Sequence, residues 1–163
     1  MIIRKVELGD AAQIAEIYNF YILNTHHSFE IELVSFEEMK RRIAEMNGNY
    51  PYIVAEENGE VLAYAYAGCY KPRSAYKNSV EISVYVNNDL KQKKIGTKLY
   101  RRLFEELKKM NVHAIIAGIS LPNEASIKLH ERFGMEKVAH FREVGFKLGR
   151  WIDVGYWELI NHK

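Results

Sequence analysis

Lys91, Lys93, Lys94 and Lys98 crowd a short stretch that contains Gly96 and runs into a helix-forming segment. They follow directly on the run Val80-Glu81-Ile82-Ser83-Val84-Tyr85-Val86, which reads as a buried strand. A strand–loop–helix of this kind turns backbone amides toward a helix N-terminus. There the first N–H groups have no internal partner and the helix dipole favours negative charge. The chemistry suited to such a place is the holding of an anion, a pyrophosphate first of all. A kinase-type phosphate loop is excluded, because no GxxxxGK[ST] occurs in the chain. The plainer reading of the same lysines is a solvated surface ahead of a helix.

A second strand–turn–helix follows at Gly118-Ile119-Ser120-Leu121-Pro122-Asn123-Glu124-Ala125-Ser126-Ile127-Lys128-Leu129-His130, where Asn123 or Ser120 is expected to cap the helix. Together the two segments resemble the GNAT N-acetyltransferase superfamily. In that superfamily the first loop binds the pyrophosphate of acetyl-CoA, and the second carries an Asn followed at a fixed distance by a Tyr; here that later residue is His130. Four more segments are similar to the phosphinothricin N-acetyltransferase group. They are Asn19-Phe20-Tyr21-Ile22 to Ser28-Phe29, Tyr64-Ala65-Tyr66-Ala67-Gly68, Lys71-Pro72-Arg73-Ser74-Ala75-Tyr76 and Gly149-Arg150-Trp151-Ile152-Asp153-Val154-Gly155. They lie in order, so the resemblance spans nearly the whole chain.

The resemblance implies acetyl transfer from acetyl-CoA to the amine of a small amino-acid-like substrate, such as phosphinothricin or methionine sulfoximine or sulfone. It implies that Gln92, Lys93, Lys94, Ile95, Gly96 and Thr97 contact the pyrophosphate, that Val84, Tyr85 and Val86 pair with the pantetheine amides, and that Asn123 meets the cofactor from the other side. The family loop reads Gln/Arg-x-x-Gly-x-Gly/Ala, whereas the aligned residues here are Lys91, Lys94 and Gly96. Lys94 thus stands where the family has a glycine, and its amide remains usable if its φ stays negative.

A primary amine must lose a proton before or during attack, and Glu81 on the cofactor strand is the expected base. The Val84 backbone N–H is the expected oxyanion donor. His130 would protonate the departing thiolate. Phe29, Lys71, Pro72, Arg73 and Tyr76, with Glu81, Ile82 and Ser83, would select the acceptor; the cationic pair suits a carboxylate or tetrahedral oxyanion. Each assignment has a structural rival: a surface ion pair for Glu81, a structural hydrogen bond for His130, solubility for Lys71 and Arg73. Two other functions stay open, a protein N-terminal or lysine acetyltransferase and an acetyl-CoA-binding module without catalysis.

The elements that must position these residues read clearly in places. Residues 1–6 form an apolar strand, and Asp10 with Gln13 makes a capping-box pattern ahead of Ile14, Ile17, Tyr18 and Tyr21. Ser35 with Glu38 repeats the device before Phe36, Met39, Ile43 and Met46. Asn58-Gly59 between two apolar runs is a hairpin signal. Ile95, Leu99, Leu103 and Leu107 form a core stripe, then come a strand over 113–119, the Asn123 helix, and strands over 141–146 and 153–159. The order β-α-α-β-β-β-α-β-α-β-β predicts one α/β domain over residues 1–163, and it is the order of the GNAT (acyl-CoA N-acyltransferase) fold, a mixed central sheet flanked by helices.

The 163 residues, 48% hydrophobic and 27% charged, are ordinary for a globular domain. A net charge of +2 gives no reason to expect nucleic acid, and no apolar stretch suggests a membrane span. Cys69 is the single cysteine; it precludes an intrachain disulfide, is expected to be buried and inert, and fits a cytoplasmic protein. His26 and His27 lack a third ligand at metal spacing, so they are expected at the surface and no metal is expected. A homodimer is expected from the resemblance and from the aromatic residues between Phe141 and Trp157.

Overall fold

The computed structural model describes residues 1–46 and 48–161, the side chains of 91–93 apart. Among the described residues there are seven strands and four α-helices: β1 (Ile2–Lys5), α1 (Ala11–Asn24), α2 (Phe36–Met46), β2 (Tyr52–Glu57), β3 (Glu60–Cys69), β4 (Ser79–Val86), α3 (Ile95–Lys109), β5 (Ala114–Leu121), α4 (Glu124–Arg132), β6 (Glu136–Lys147) and β7 (Arg150–Ile160). The sheet runs β1-β2-β3-β4-β5-β7-β6. β4 and β5 are parallel, while β1–β2, β2–β3, β5–β7 and β6–β7 are antiparallel, so the sheet is mixed as expected.

The chain divides into two compact units, neither of which is a continuous stretch. The first comprises Met1–Phe20, Val34–Gly68 and Ile82–Asn111; the second comprises Tyr21–Leu33, Cys69–Glu81 and the chain from Val112 onward. β4 is divided between them after Glu81.

In the first unit, Asn58 (φ 54°) and Gly59 (φ 83°) make the two-residue turn joining β2 to β3. Both residues take left-handed backbone, which this hairpin twist requires and Asn-Gly tolerates best. Ile95, Leu99, Leu103 and Leu107 are all buried along α3, so the stripe is core packing. A tyrosine cluster fills the same unit: Tyr64 stacks on Tyr85 at 5.4 Å, Tyr18 meets Tyr85 edge-on at 5.1 Å, and Tyr52 lies 5.1 Å from Tyr66. Each such pair adds about 0.5–1.5 kcal/mol beyond its buried area.

Capping differs from expectation at one end. Asp10 accepts from the Glu7 N–H at 2.8 Å and takes both terminal nitrogens of Arg4 at 2.8 Å, so the box closes on Glu7. Gln13 turns instead to the β2–β3 hairpin, accepting from Val61 N–H at 2.7 Å. Ser35 does cap α2, its Oγ accepting from Glu38 N–H at 3.1 Å.

In the second unit β6 and β7 form a longer hairpin than the sequence suggested, closed by Leu148 (φ 52°) and Gly149 (φ 74°). A register shift between Phe141 and Gly145 carries Glu143 at φ 53°. Two burial expectations are overturned. Cys69 ends β3 exposed, its Sγ donating to Lys71 O at 3.0 Å, because the strand leaves the core one residue earlier. His26 is buried, not at the surface, because both its ring nitrogens have protein partners. Among the described residues, no helix is long and apolar enough to cross a membrane, and no group of three or more His, Cys, Asp or Glu could hold a metal ion.

Candidate active site

In the first unit, β4 leads through a 3-10 turn at Asn88–Lys93 into α3. Asn87 opens that turn, its Oδ1 accepting from Asp89 N–H at 3.1 Å. Lys94 closes it with φ 54° and ψ 26°, in the left-handed region. The φ is positive, so the condition under which the Lys94 amide itself was expected to serve is not met, and the amides left for an anion are those that follow it. The first backward bond of α3 is Lys98 N–H to Lys94 O at 3.3 Å. The amides of Ile95 and Gly96 come before it and so have no carbonyl within the helix to bond. A left-handed residue followed by such amides forms a concavity for an anion.

Lys94 and Lys98 are exposed beside this concavity. The Ile95 side chain is buried in the core, so only its backbone is available to a ligand. Gly96 and Thr97 are half-buried. The expected contacts from the Gln92 and Lys93 side chains lie outside the described residues, as does the side chain of Lys91. On β4, Val84 and Val86 are half-buried, and the Tyr85 ring is engaged in the tyrosine cluster, which leaves only its backbone for a ligand.

The second unit assembles a different chemistry. Glu81 pairs with Ile116 across β4–β5, and Gly118 pairs with Tyr156 across β5–β7. A Cβ built on Gly118 would lie 3.3 Å from Tyr156 Cε1 and 3.4 Å from Glu81 Oε1, so the missing side chain leaves the space that these two groups share. Burial pushes the Glu81 carboxyl above its ordinary range. The carboxylate forms no ion pair with any described residue, which argues against the surface-pair reading. Tyr156 is pushed up by burial first and then by the Glu81 charge and Tyr70, with Lys71 acting the other way. Lys71 Nζ lies 5.0 Å from the Tyr70 ring and 5.6 Å from the Tyr76 ring. These groups amount to a raised carboxyl that can accept a proton next to Tyr156, and an ammonium held against two further tyrosine rings.

Phe29 packs on Gly145, where any Cβ would run into its ring. Phe141 meets Tyr156 edge-on at 5.8 Å, so the β6–β7 surface carries aromatic groups up to Glu81's neighbour. Pro72 and Arg73 are exposed, and Arg73 precedes the short 3-10 turn Ser74–Tyr76. Ile82 is buried and Ser83 half-buried. Ile82 belongs to core packing, and a substrate contact from its side chain is not supported.

Asn123 caps α4, its Oδ1 accepting from Ser126 N–H at 3.2 Å. Ser120 does not cap; it sits inside β5 with a buried hydroxyl that has no hydrogen-bond partner among the described residues. His130 is 3% exposed, and its Nδ1 lies 2.7 Å from Ser126 O. A carbonyl only accepts, so Nδ1 carries the proton. Burial lowers the imidazole below its ordinary value, against the rise from the Ser126 bond. A neutral, anchored imidazole is a poor reservoir for the proton a thiolate needs, which favours the structural reading of His130.

Sequence reasoning missed Gly118, Tyr156 and Tyr70 as neighbours in the site. The alternation of β7 does place Ile152, Val154 and Tyr156 on one face, but which face meets Glu81 depends on strand order, a tertiary fact.

The family model for the acetyltransferase (GNAT) domain matches residues 3–155. The chain is 35% identical to the phosphinothricin N-acetyltransferase of Streptomyces viridochromogenes over 96% of its own length and 85% of the relative's. It is 36% identical to the L-methionine sulfoximine/L-methionine sulfone acetyltransferase of Salmonella typhimurium, covering 98% of this chain and 94% of that one. Its fold superposes on an acetyltransferase from Salmonella typhimurium, solved with its cofactor acetyl-CoA, with a TM-score of 0.96, 35% identity and coverage of 100% and 96%. By the family match and by near-full-length identity, the chain belongs to the GNAT acetyltransferase family.

Proposed function

We propose that this acetyltransferase moves an acetyl group from acetyl-CoA to the amine of a small amino acid bearing a second oxyanionic or strongly polar group. Phosphinothricin and methionine sulfoximine or sulfone are the model acceptors. The observation that carries the reading is the Glu81 carboxylate, raised by burial and sharing the space over Gly118 with Tyr156. An acceptor arrives as an ammonium, and a carboxylate with a raised proton affinity is the group to take its proton, directly or through one water. The thioester of acetyl-CoA supplies the activated acyl group. The residues of this chain bind, orient and deprotonate.

In this reading the backbone of the Lys94–Thr97 stretch holds the pyrophosphate through the amides that follow Lys94. Backbone groups of Val84, Tyr85 and Val86 hold the pantetheine arm, and the Val84 N–H faces the developing oxyanion. Asn123 keeps a cofactor role alongside its cap. His130 is assigned to holding the α4 turn instead of to proton donation, because its Nδ1 is committed to Ser126. Lys71 and Arg73 meet the acceptor's anionic groups; neither forms an ion pair with a described residue, so both charges are available. Tyr70, Tyr76 and Phe29 give the acceptor apolar walls.

We infer further that residues 1–163 act as one domain, since neither compact unit is continuous in sequence. A cytoplasmic setting is consistent with the exposed, unpaired thiol of Cys69, which a reducing compartment keeps intact. A homodimer is supported by the edge strand β6 and the start of β7. Val138, Phe141, Val144, Phe146 and Trp151 are all more than half exposed there, an apolar edge that an isolated chain rarely leaves open.

The test is purified protein with acetyl-CoA and a panel of free amino acids, with thiol release recorded. Release with free amino acids, strongest with phosphinothricin or methionine sulfoximine, is expected. Release only with peptides would replace this reading by protein acetylation. Binding of acetyl-CoA without release would make the chain a non-catalytic module.

A further inference from the structure

His26 is buried at 7% exposure in a segment otherwise rich in polar residues. Its Nε2 lies 3.0 Å from Pro122 O, and its Nδ1 lies 2.8 Å from Arg150 Nη2. A carbonyl can only accept and a guanidinium can only donate, so the ring is the neutral tautomer with its proton on Nε2. One side chain thereby ties three pieces of chain together: the segment leaving α1, the turn before Asn123, and the first residue of β7. The His27 ring stands edge-on to it at 4.9 Å, and two residues further along the chain the Lys147 ammonium donates to Ser28 O at 2.6 Å.

From this geometry we infer that His26 is a positioning residue, which fixes segment 25–33 against the Pro122 turn and so sets where Phe29 stands. The inference rests on the reading of Phe29 as an acceptor contact. Residues 25–33 contain no helix or strand, so their path depends on side-chain anchors. Two side-chain anchors hold the backbone just ahead of Phe29, His26 on Pro122 O and Lys147 on Ser28 O, while the Phe29 ring itself abuts Gly145. Without the His26 anchor the segment keeps its fold contacts at Lys147 but gains freedom at the end that faces Pro122. Loss of orientation at an acceptor wall raises acceptor KM more than it alters cofactor binding, and a displacement near 1 Å is enough to cost about tenfold or more.

The test compares His26→Leu, His26→Gln and Arg150→Met. Leucine fills the volume without either bond, and an acceptor KM about tenfold higher with acetyl-CoA affinity within about twofold of wild type is expected. Glutamine offers an N–H for Pro122 O and an oxygen for Arg150, so it should hold the acceptor KM within about threefold of wild type. Arg150→Met removes one partner only, at an exposed position, and should move KM in the same direction as leucine but less. Backbone hydrogen exchange over 25–33, measured on the same proteins, should be faster in the leucine and methionine variants and near normal in the glutamine variant. If His26→Leu fails to fold, the Arg150→Met and His26→Gln pair carries the comparison. Equal exchange and equal KM in all variants overturns the clamp. A wild type with no thiol release from any free amino acid overturns the acceptor reading instead, and the exchange data still decide the clamp.

Discussion

Replacing Lys94 by glycine separates what the residue contributes as backbone from what it contributes as charge. Lys94 is held at φ 54°, ψ 26°, a conformation that costs a residue with a Cβ about 1–2 kcal/mol and glycine almost nothing. Glycine returns about 0.4–1 kcal/mol of this through its greater freedom in the unfolded chain. The net gain expected for Lys94→Gly is therefore about 0.5–1 kcal/mol. For a chain of this length that is a rise in Tm of about 1–4 °C by thermal melting. Because lysine already follows the path that glycine would take, the amides of Ile95 and Gly96 should not move. The lost charge is exposed and screened, so acetyl-CoA affinity should fall by no more than about fivefold in low salt, and by less as salt is raised. Lys94→Val is the counterpart, since a branched Cβ is poorly tolerated in left-handed backbone, and its Tm should drop. A Tm that falls with glycine, or an affinity for acetyl-CoA that rises tenfold, would refute the reasoning, because either result means that Lys94 does not hold this conformation in solution.

Two further outcomes are expected. Glu81→Gln should lower turnover by about 10²–10⁴-fold while leaving acetyl-CoA affinity near wild type, and the acid limb of the pH–rate profile should disappear. Because burial raises the folded-state affinity of Glu81 for its proton, its contribution to stability is present at acid pH and lost as pH rises through the folded value; at pH 7–8 the Gln variant should thus melt no lower than wild type. Near-normal turnover in the Gln variant across pH 6–9 would remove Glu81 from the role. Light scattering at micromolar concentration should give twice the 19.0 kDa chain mass, and a monomer mass would leave the exposed β6 edge without its proposed partner.

What the sequence made legible was local. The stripe Ile95, Leu99, Leu103, Leu107 declared α3 because a helix repeats every 3.6 residues, and Asn58-Gly59 declared a hairpin because few other pairs accept that turn. The β6–β7 turn escaped because Leu148 stands at φ 52°, where leucine gives no turn signal. Here the flanking strands impose the conformation. The Asp10–Gln13 box failed for a related reason: a carboxylate has several donors within reach, and the one here is taken up by the Glu7 N–H and both terminal nitrogens of Arg4. Capping patterns read from spacing alone take no account of such rivals.

The same division governs the site. Glu81 was legible because it lies on the strand that the family resemblance gives to the cofactor, where the attacking amine needs a base. Its raised proton affinity was not, because burial causes it, and burial is decided by how neighbouring strands pack, not by residue type. Lys94 makes the converse case. Its departure from the family glycine looked like a defect at the level of residue type, yet the backbone there has the glycine-like conformation regardless. The anion concavity is a property of the amides that follow, so the identity of the side chain at that position tunes stability and charge without deciding whether a phosphate can be held. A residue that breaks a motif by type and keeps it by conformation leaves the backbone that the proposed phosphate contact needs, and only the backbone dihedral distinguishes that case from a lost site.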